Sequence, residues 1–179
     1  MENDNLRWDP KEKKELLKTA VFTVNQVTSN SPDKKSGNFI VLDAPDWCIV
    51  IPELENDFLM VRQWRHGENS LSIEFPGGVI EKDESPEKAA MRELLEETGY
   101  KAGKMTYLGK ANPNPAIMSN HIYFFMAQNL IPTGKQHLDN DEYINYMKIP
   151  KNEVFNKFGD EEYSHALMMS ALFRYFMHK

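Results

Sequence analysis

The stretch GVIEKDESPEKAAMRELLEETGY, residues 78–100, couples a glycine turn to a segment dense in carboxylates. Ser85-Pro86 reads as an N-cap followed by proline at the first helical position, and Gly99 as the left-handed residue that stops the helix. Between those signals Ala89, Ala90, Leu94 and Leu95 supply helix formers and an apolar stripe. On that helix Glu93, Glu96 and Glu97 stand at i, i+3 and i+4, hence on one face. Like charges so close repel, and a solvated helix gains nothing by grouping them. A hard divalent cation turns the repulsion into a site, because Mg²⁺ takes oxygens from one or two carboxylates together with substrate phosphates. The residues alone also allow an ordinary acidic, solvated face.

Spacing decides between the two. The segment runs Gly78, five residues, Glu84, seven residues, Arg92-Glu93-Leu94, one residue, Glu96-Glu97, one residue, Gly99-Tyr100. It resembles the Nudix box at every defined position, a match that arises by chance in roughly one window in 10⁹ at ordinary residue usage. Weaker resemblance extends from about Asp43 to Pro150. It implies an α/β fold, the Nudix α/β/α sandwich with a mixed sheet, here preceded by an N-terminal β-hairpin. On that reading residues 1–42 form an extension and hairpin serving dimerisation, and residues 43–179 the Nudix hydrolase domain.

The implied reaction is hydrolysis of a diphosphate linked to another moiety, with Mg²⁺, or Mn²⁺ in its place, offsetting the charge that develops. By resemblance Glu93 and Glu97 are the main metal ligands and Glu96 an auxiliary one. The backbone carbonyl of Gly77 completes the set, while Gly78, Glu84 and Arg92 support it. Arg92 is placed to neutralise Glu93 and Glu96, or, as in the family, to brace Glu84. Within the loop HLDNDE, residues 137–142, Glu142 matches the general base of ADP-ribose pyrophosphatases, with Asp139, Asp141 and His137 as alternatives.

Flanking segments resemble the same group: Val61-Arg62-Gln63-Trp64-Arg65, Ile73-Glu74-Phe75-Pro76-Gly77-Gly78, and the loop holding Pro113 and Pro115. Arg65 is the expected diphosphate contact, its guanidinium suited to bidentate recognition, and Pro115 the expected substrate-loop proline. Glu74 either approaches the ribose or diphosphate, or forms a buried ion pair with Arg65. By strand period Arg62 faces away from Arg65. Trp8, Trp47 and Trp64 are each able to stack on a base or to pack in a core or interface. Asn120 and His121 stand where the group carries acids, which opens the sugar specificity.

The lead reading is therefore hydrolysis of ADP-ribose to AMP and ribose 5-phosphate. The enzymatic alternative is a GDP-mannose or broad nucleotide-sugar hydrolase, and the alternative of another class is a non-catalytic ADP-ribose-sensing module. Bulk properties agree. The chain has 179 residues and a formal net charge of −6 without a basic run, which argues for a small-molecule substrate and against nucleic acid. No apolar run is long enough for a bilayer span. The lone Cys48 suits a reducing compartment, here the cytoplasm, and reads as a buried apolar residue rather than a nucleophile. A homodimer is expected by analogy with domain-swapped relatives.

Along the rest of the chain, residues 1–18 read as charged and helical or loose. Strands are expected at residues 19–28, 38–42, 47–52, 58–63, 71–75, 104–110, 121–129 and 143–149. Helices are expected at residues 153–158 and 163–178, the last apolar nearly all round and docked on the sheet.

Overall fold

The computed structural model describes residues 4–140 and 142–179. Its Cα positions divide into two compact units, 1–45 with 112–121, and 46–111 with 122–179. In the first unit β1 (Asp9–Lys18), β2 (Thr23–Asn30) and β3 (Ser36–Asp43) form an antiparallel sheet in that order. The hairpin expected from sequence is β2–β3. Strand β1 was not foreseen, because DPKEKKELLK has no apolar period and every residue of it is exposed. The ladder to β2, from Asp9 opposite Asn30 to Lys18 opposite Thr23, supplies the order that side chains do not. At the 112–121 segment, Met118 bridges to Leu42, and Ser119 donates to the Asp43 carboxylate at 2.8 Å.

The second unit contains β4 (Trp47–Pro52), β5 (Asp57–Arg65), β6 (Ser70–Glu74), β7 (Gly77–Val79), α1 (Pro86–Thr98), β8 (Tyr100–Ala111), β9 (Ile122–Pro132), β10 (Asn145–Pro150), α2 (Lys151–Lys157) and α3 (Ala166–His178). Its strands make a mixed sheet, β7-β4-β9-β8, and an antiparallel one, β10-β5-β6. Within the mixed sheet β4 runs parallel to β9, and the other pairs are antiparallel.

Strand period explains the layering. Along β4, Ile49 and Ile51 enter one core while Cys48 and Val50 enter another. On β9, Ile122, Phe124 and Met126 join the first, and Phe125 and Ala127 the second. The first core is closed by Val154 of α2 and by Met168, Ala171, Leu172 and Tyr175 of α3. The second is closed by Ala89, Ala90 and Leu94 of α1. Helices thus cover both faces of the β4–β9 pair, as the expected α/β/α sandwich requires. Phe58 sits at the centre of the first core, edge-on to Phe75 at 5.3 Å and to Tyr175 at 5.1 Å. Truncating such a ring typically costs about 3–5 kcal/mol. Burial pushes the Cys48 thiol up to about 12, as suits a packing residue. Helix α3 docks by one face, and Met169, Phe173, Phe176 and Met177 remain exposed on the other. Among the described residues no helix is long and apolar enough to cross a membrane.

One ion cluster ties α2 and α3 to the turn after β4. The Glu53 carboxylate accepts from Tyr175 Oη at 2.5 Å and from Lys151 Nζ, Lys179 Nζ and Gln128 Nε2, each at 2.9 Å. Burial pushes this acid up, but the donors from Lys179, Tyr175, Lys151 and Gln128 outweigh it and bring it from 4.5 to about 2. A depressed native value means stability fully present above pH 4.5 and lost as pH falls towards 2. Glu53→Gln is expected to cost roughly 1–3 kcal/mol at pH 7 and to flatten the acid limb. Urea unfolding at a series of pH values measures both, and an acid limb identical to that of the unsubstituted protein would contradict this.

Candidate active site

Helix α1 starts and stops where its sequence signals lie. Ser85 Oγ accepts the Lys88 N–H at 3.3 Å, Pro86 opens the first turn, and Gly99 adopts φ 70° with its N–H on Leu95 O. The inward face carries Ala89, Ala90 and Leu94, and also Glu93 and Glu97, which are only 8% and 2% exposed. Burying a carboxylate without compensation is costly, so the partners of these acids govern the local structure.

Arg92 is the main partner, and it takes both of the roles weighed from sequence. Its Nε and Nη2 donate to the two oxygens of Glu84 at 3.1 and 3.0 Å. Its Nη1 donates to Glu93 at 2.8 Å and to Glu96 at 3.0 Å, while Nη2 also reaches Val79 O at 2.9 Å. Glu97 accepts the backbone N–H of Gly77 at 2.9 Å. The compensation is incomplete. Burial raises Glu93 to about 7 even though Arg92 pulls it down, with Glu96 and Glu142 adding repulsion. Burial also raises Glu97 well above the usual carboxylate range, the Gly77 N–H opposing it and Glu93 and Glu142 adding to it.

The two glycines before the helix are required by close approach. Strand β7, not foreseen from a Gly-Gly pair, exists through its ladder to β4, with Gly77 opposite Ile49 and Gly78 opposite Cys48. A Cβ on Gly77 would lie 2.2 Å from the Cys48 carbonyl oxygen, and one on Gly78 2.4 Å from Glu93 Oε1.

A cavity of about 370 Å³ opens beside these groups. Of the residues expected from sequence it is lined by Arg65, Gly77, Gly78, Arg92, Glu93, Glu97, Asp139 and Glu142. Trp47, weighed from sequence as able to stack on a base, also lines it, as does Gln63, which was not singled out as a site residue. The signal for Gln63 was its place two residues before Arg65, on the same strand face. Glu142 is exposed, as is Asp139, while Asp141 lies outside the described residues. His137 contributes its backbone N–H to Glu96 O.

Other expected residues have the following partners. Glu74 is wholly buried, and both its oxygens accept from Arg65, at 2.7 and 2.5 Å. The ion-pair alternative is therefore the arrangement adopted, and Glu74 reaches the cavity only through Arg65. Arg62 faces away, as its strand period required, and pairs with Glu162 at 2.8 and 2.5 Å. Trp64 is exposed, and Trp8 stands edge-on to Phe39. Pro115 belongs to the first unit, as does Asn120, whose buried amide donates to Pro45 O at 2.9 Å.

Among the described residues no three acidic, histidine or cysteine side chains converge on one point as they stand. Arg92 Nη1 engages Glu93 and Glu96, and Glu97 accepts instead from the Gly77 N–H. The donor chemistry nevertheless fits a hard divalent ion. It consists of all-oxygen carboxylates, two of them buried with raised proton affinity and too little positive charge nearby. Glu93, Glu97 and Glu96 are the side chains able to hold one.

The NUDIX domain model matches residues 43–168, and the chain belongs to that family. It is 36% identical over 96 residues to the ADP-ribose pyrophosphatase of Bacillus subtilis (strain 168), covering 53% of this chain and 52% of that one. It is 29% identical over 125 residues to the ADP compounds hydrolase NudE of Escherichia coli (strain K12), covering 70% and 67%. A crystal structure of ADP compounds hydrolase superposes with TM-score 0.85 at 24% identity, over 97% of this chain and 95% of that one, a likeness of fold. The matched stretches span about half to two thirds of those two curated relatives' own lengths.

The two glycines predict different failures. Gly77→Ala meets backbone and is expected to separate β4 from β7, with a large loss of Tm. Gly78→Ala meets a carboxylate that is able to swing, so the protein is expected to fold and bind Mn²⁺ at least roughly 10-fold more weakly, as loss of one oriented ligand implies. Thermal unfolding with Mn²⁺ titration checks this, and unaltered Mn²⁺ affinity in Gly78→Ala would contradict it.

Proposed function

We propose that the protein is a divalent-metal-dependent pyrophosphohydrolase acting on nucleoside diphosphate sugars, with ADP-ribose as lead substrate giving AMP and ribose 5-phosphate. The observation that carries this reading is the meeting of Arg65, Glu93, Glu97 and Glu142 on one cavity. The names of the relatives, an ADP-ribose pyrophosphatase and an ADP compounds hydrolase, support the substrate class.

Each residue has a part. Arg65 is oriented by Glu74 through Nε and Nη2, which leaves Nη1 to bind a diphosphate oxygen. A buried acid that fixes an arginine fork reduces the entropy lost when the fork engages its ligand. Glu93 and Glu97, with Glu96 and the Gly77 carbonyl, hold the metal. When bound, Mg²⁺ or Mn²⁺ offsets charge developing on the diphosphate and acidifies the attacking water. Glu142 takes the proton from that water as its oxygen attacks one phosphorus. The bridging P–O bond breaks, and the other phosphate leaves with its sugar or nucleoside. Arg92, Glu84 and Gly78 keep the acid helix at the correct distance from β7.

The lone buried thiol suits a reducing compartment such as the cytoplasm. The sheet β1–β3 is the proposed dimerisation element, because its outer strand is wholly exposed and has one free edge. Light scattering on the intact chain and on one lacking residues 1–42 tests that role.

The activity is tested by product analysis on ADP-ribose, GDP-mannose, UDP-glucose and 8-oxo-dGTP, each with and without Mg²⁺. AMP from ADP-ribose is expected, dependent on Mg²⁺. Glu97→Gln is expected to lower turnover at least about 10²-fold without lowering Tm, since the amide oxygen still accepts the Gly77 N–H. GMP from GDP-mannose instead would redirect the sugar reading. Tight ADP-ribose binding without turnover on any substrate would overturn catalysis in favour of a sensor.

A further inference from the structure

The last carbonyls of a helix have no partners within it. In α1 those of Glu96 and Glu97, with that of the capping Gly99, are taken up by one downstream segment. Glu96 O accepts the His137 N–H at 2.8 Å, and Glu97 O accepts Gln136 Nε2 at 2.5 Å. Gly99 O accepts both the N–H and the hydroxyl of Thr133, at 2.8 and 2.7 Å. Gly99 makes the approach possible, because a Cβ there would lie 2.7 Å from the Lys135 carbonyl oxygen. The segment 133–137 therefore lies directly on the end of the helix that carries the buried acids.

Gln136 does something the backbone donors do not. The same Nε2 that donates to Glu97 O also donates to Ile144 O at 3.2 Å, eight residues further along the chain. One primary amide thus joins the residue before the acid loop, the buried residue after it, and the helix turn of Glu97. In the loop between, the described residues Asp139 and Glu142 bond to each other. Glu142 Oε2 accepts the Asp139 N–H at 3.2 Å, and Glu142 N donates to Asp139 O at 3.1 Å. Among the described residues Glu142 makes no other hydrogen bond, and its side chain is exposed. Closing a short loop at both ends removes most of the conformations it would otherwise sample.

We propose that Gln136 is a positioning residue for Glu142: its amide pins both ends of the acid loop to the Glu97 turn and so holds that carboxylate over the cavity. The proposal rests on Glu142 being the base. It assigns Gln136 no contact with substrate, so its removal acts on kcat and only through Glu142. Misplacing a reacting group by about 1 Å is enough to cost roughly 10²-fold.

The test is a double-mutant cycle on ADP-ribose at saturating Mg²⁺. It uses the unsubstituted enzyme, Gln136→Met (similar length, no donors), Glu142→Gln and the double variant, with Tm measured on each. The expected result is a fall in kcat of roughly 10–100-fold for Gln136→Met, KM little changed, and no further fall when Glu142→Gln is already present. Equal losses in both backgrounds would overturn the proposal, meaning that the amide serves Glu97 or the helix end. Unchanged kcat in Gln136→Met would overturn it while leaving Glu142 as base. Near-normal kcat in Glu142→Gln would remove the base assignment and the clamp with it. If Gln136→Met unfolds, Gln136→Asn enters the same cycle, because it keeps an amide too short to reach both carbonyls.

Discussion

Glu97 is buried at the inward face of α1, and among the described residues the one hydrogen bond its carboxylate accepts is from the backbone N–H of Gly77 at 2.9 Å. That contact fixes the rest of the site. It requires β7 to lie against the helix, and β7 reaches that position only through glycines that let it press on β4 and on Glu93. A single N–H does not balance a buried carboxylate, and Arg92 spends its guanidinium on Glu84, Glu93 and Glu96 instead. The helix is therefore built with more negative charge than the protein answers. An apolar residue at position 97 would pack with less cost, so stability alone gives no reason for an acid there.

The supporting elements follow from this excess. The apolar residues of α1 anchor it on the β4–β9 sheet, so the acids cannot drift apart to relieve repulsion. The end of the helix is closed by residues 133–137, and the segment that closes it leads into the acid loop facing the same cavity. Opposite, Glu74 holds Arg65 at the cavity wall through two charge-assisted hydrogen bonds. Positive and negative groups thus face one space from rigid strands, helix and a tethered loop. Such an arrangement suits a substrate that carries its own negative charge and arrives with a cation.

Much of this was legible in the sequence, for identifiable reasons. The helix showed because Ser85-Pro86, Gly99 and the alanine–leucine stripe are local signals, and local signals survive without tertiary context. The strands β4 and β9 showed because β4, and β9 from Ile122 to Ala127, are apolar and largely buried on both faces. Strand β1 did not, since an exposed edge strand needs no apolar alternation. Strand β7 did not, since Gly77-Gly78 has little strand propensity of its own. The two fates open to Glu74 could not be separated from sequence, because pairing with Arg65 depends on cross-strand register between β5 and β6. Gln136 gave no signal at all: a glutamine matters there through the carbonyls of Glu97 and Ile144, which are far apart in sequence, and only the fold brings them together.

The central claim is that the acid face of α1 is a divalent-cation site completed by Glu97. The most direct measurement is Mn²⁺ binding followed by electron paramagnetic resonance in the unsubstituted protein and in Glu97→Gln, with Mg²⁺ as competitor. The account predicts bound Mn²⁺ that Mg²⁺ displaces, with affinity reduced at least roughly 10-fold by loss of the Glu97 charge. Equal affinity in the two proteins would contradict it, because the buried carboxylate would then have no cation to answer it.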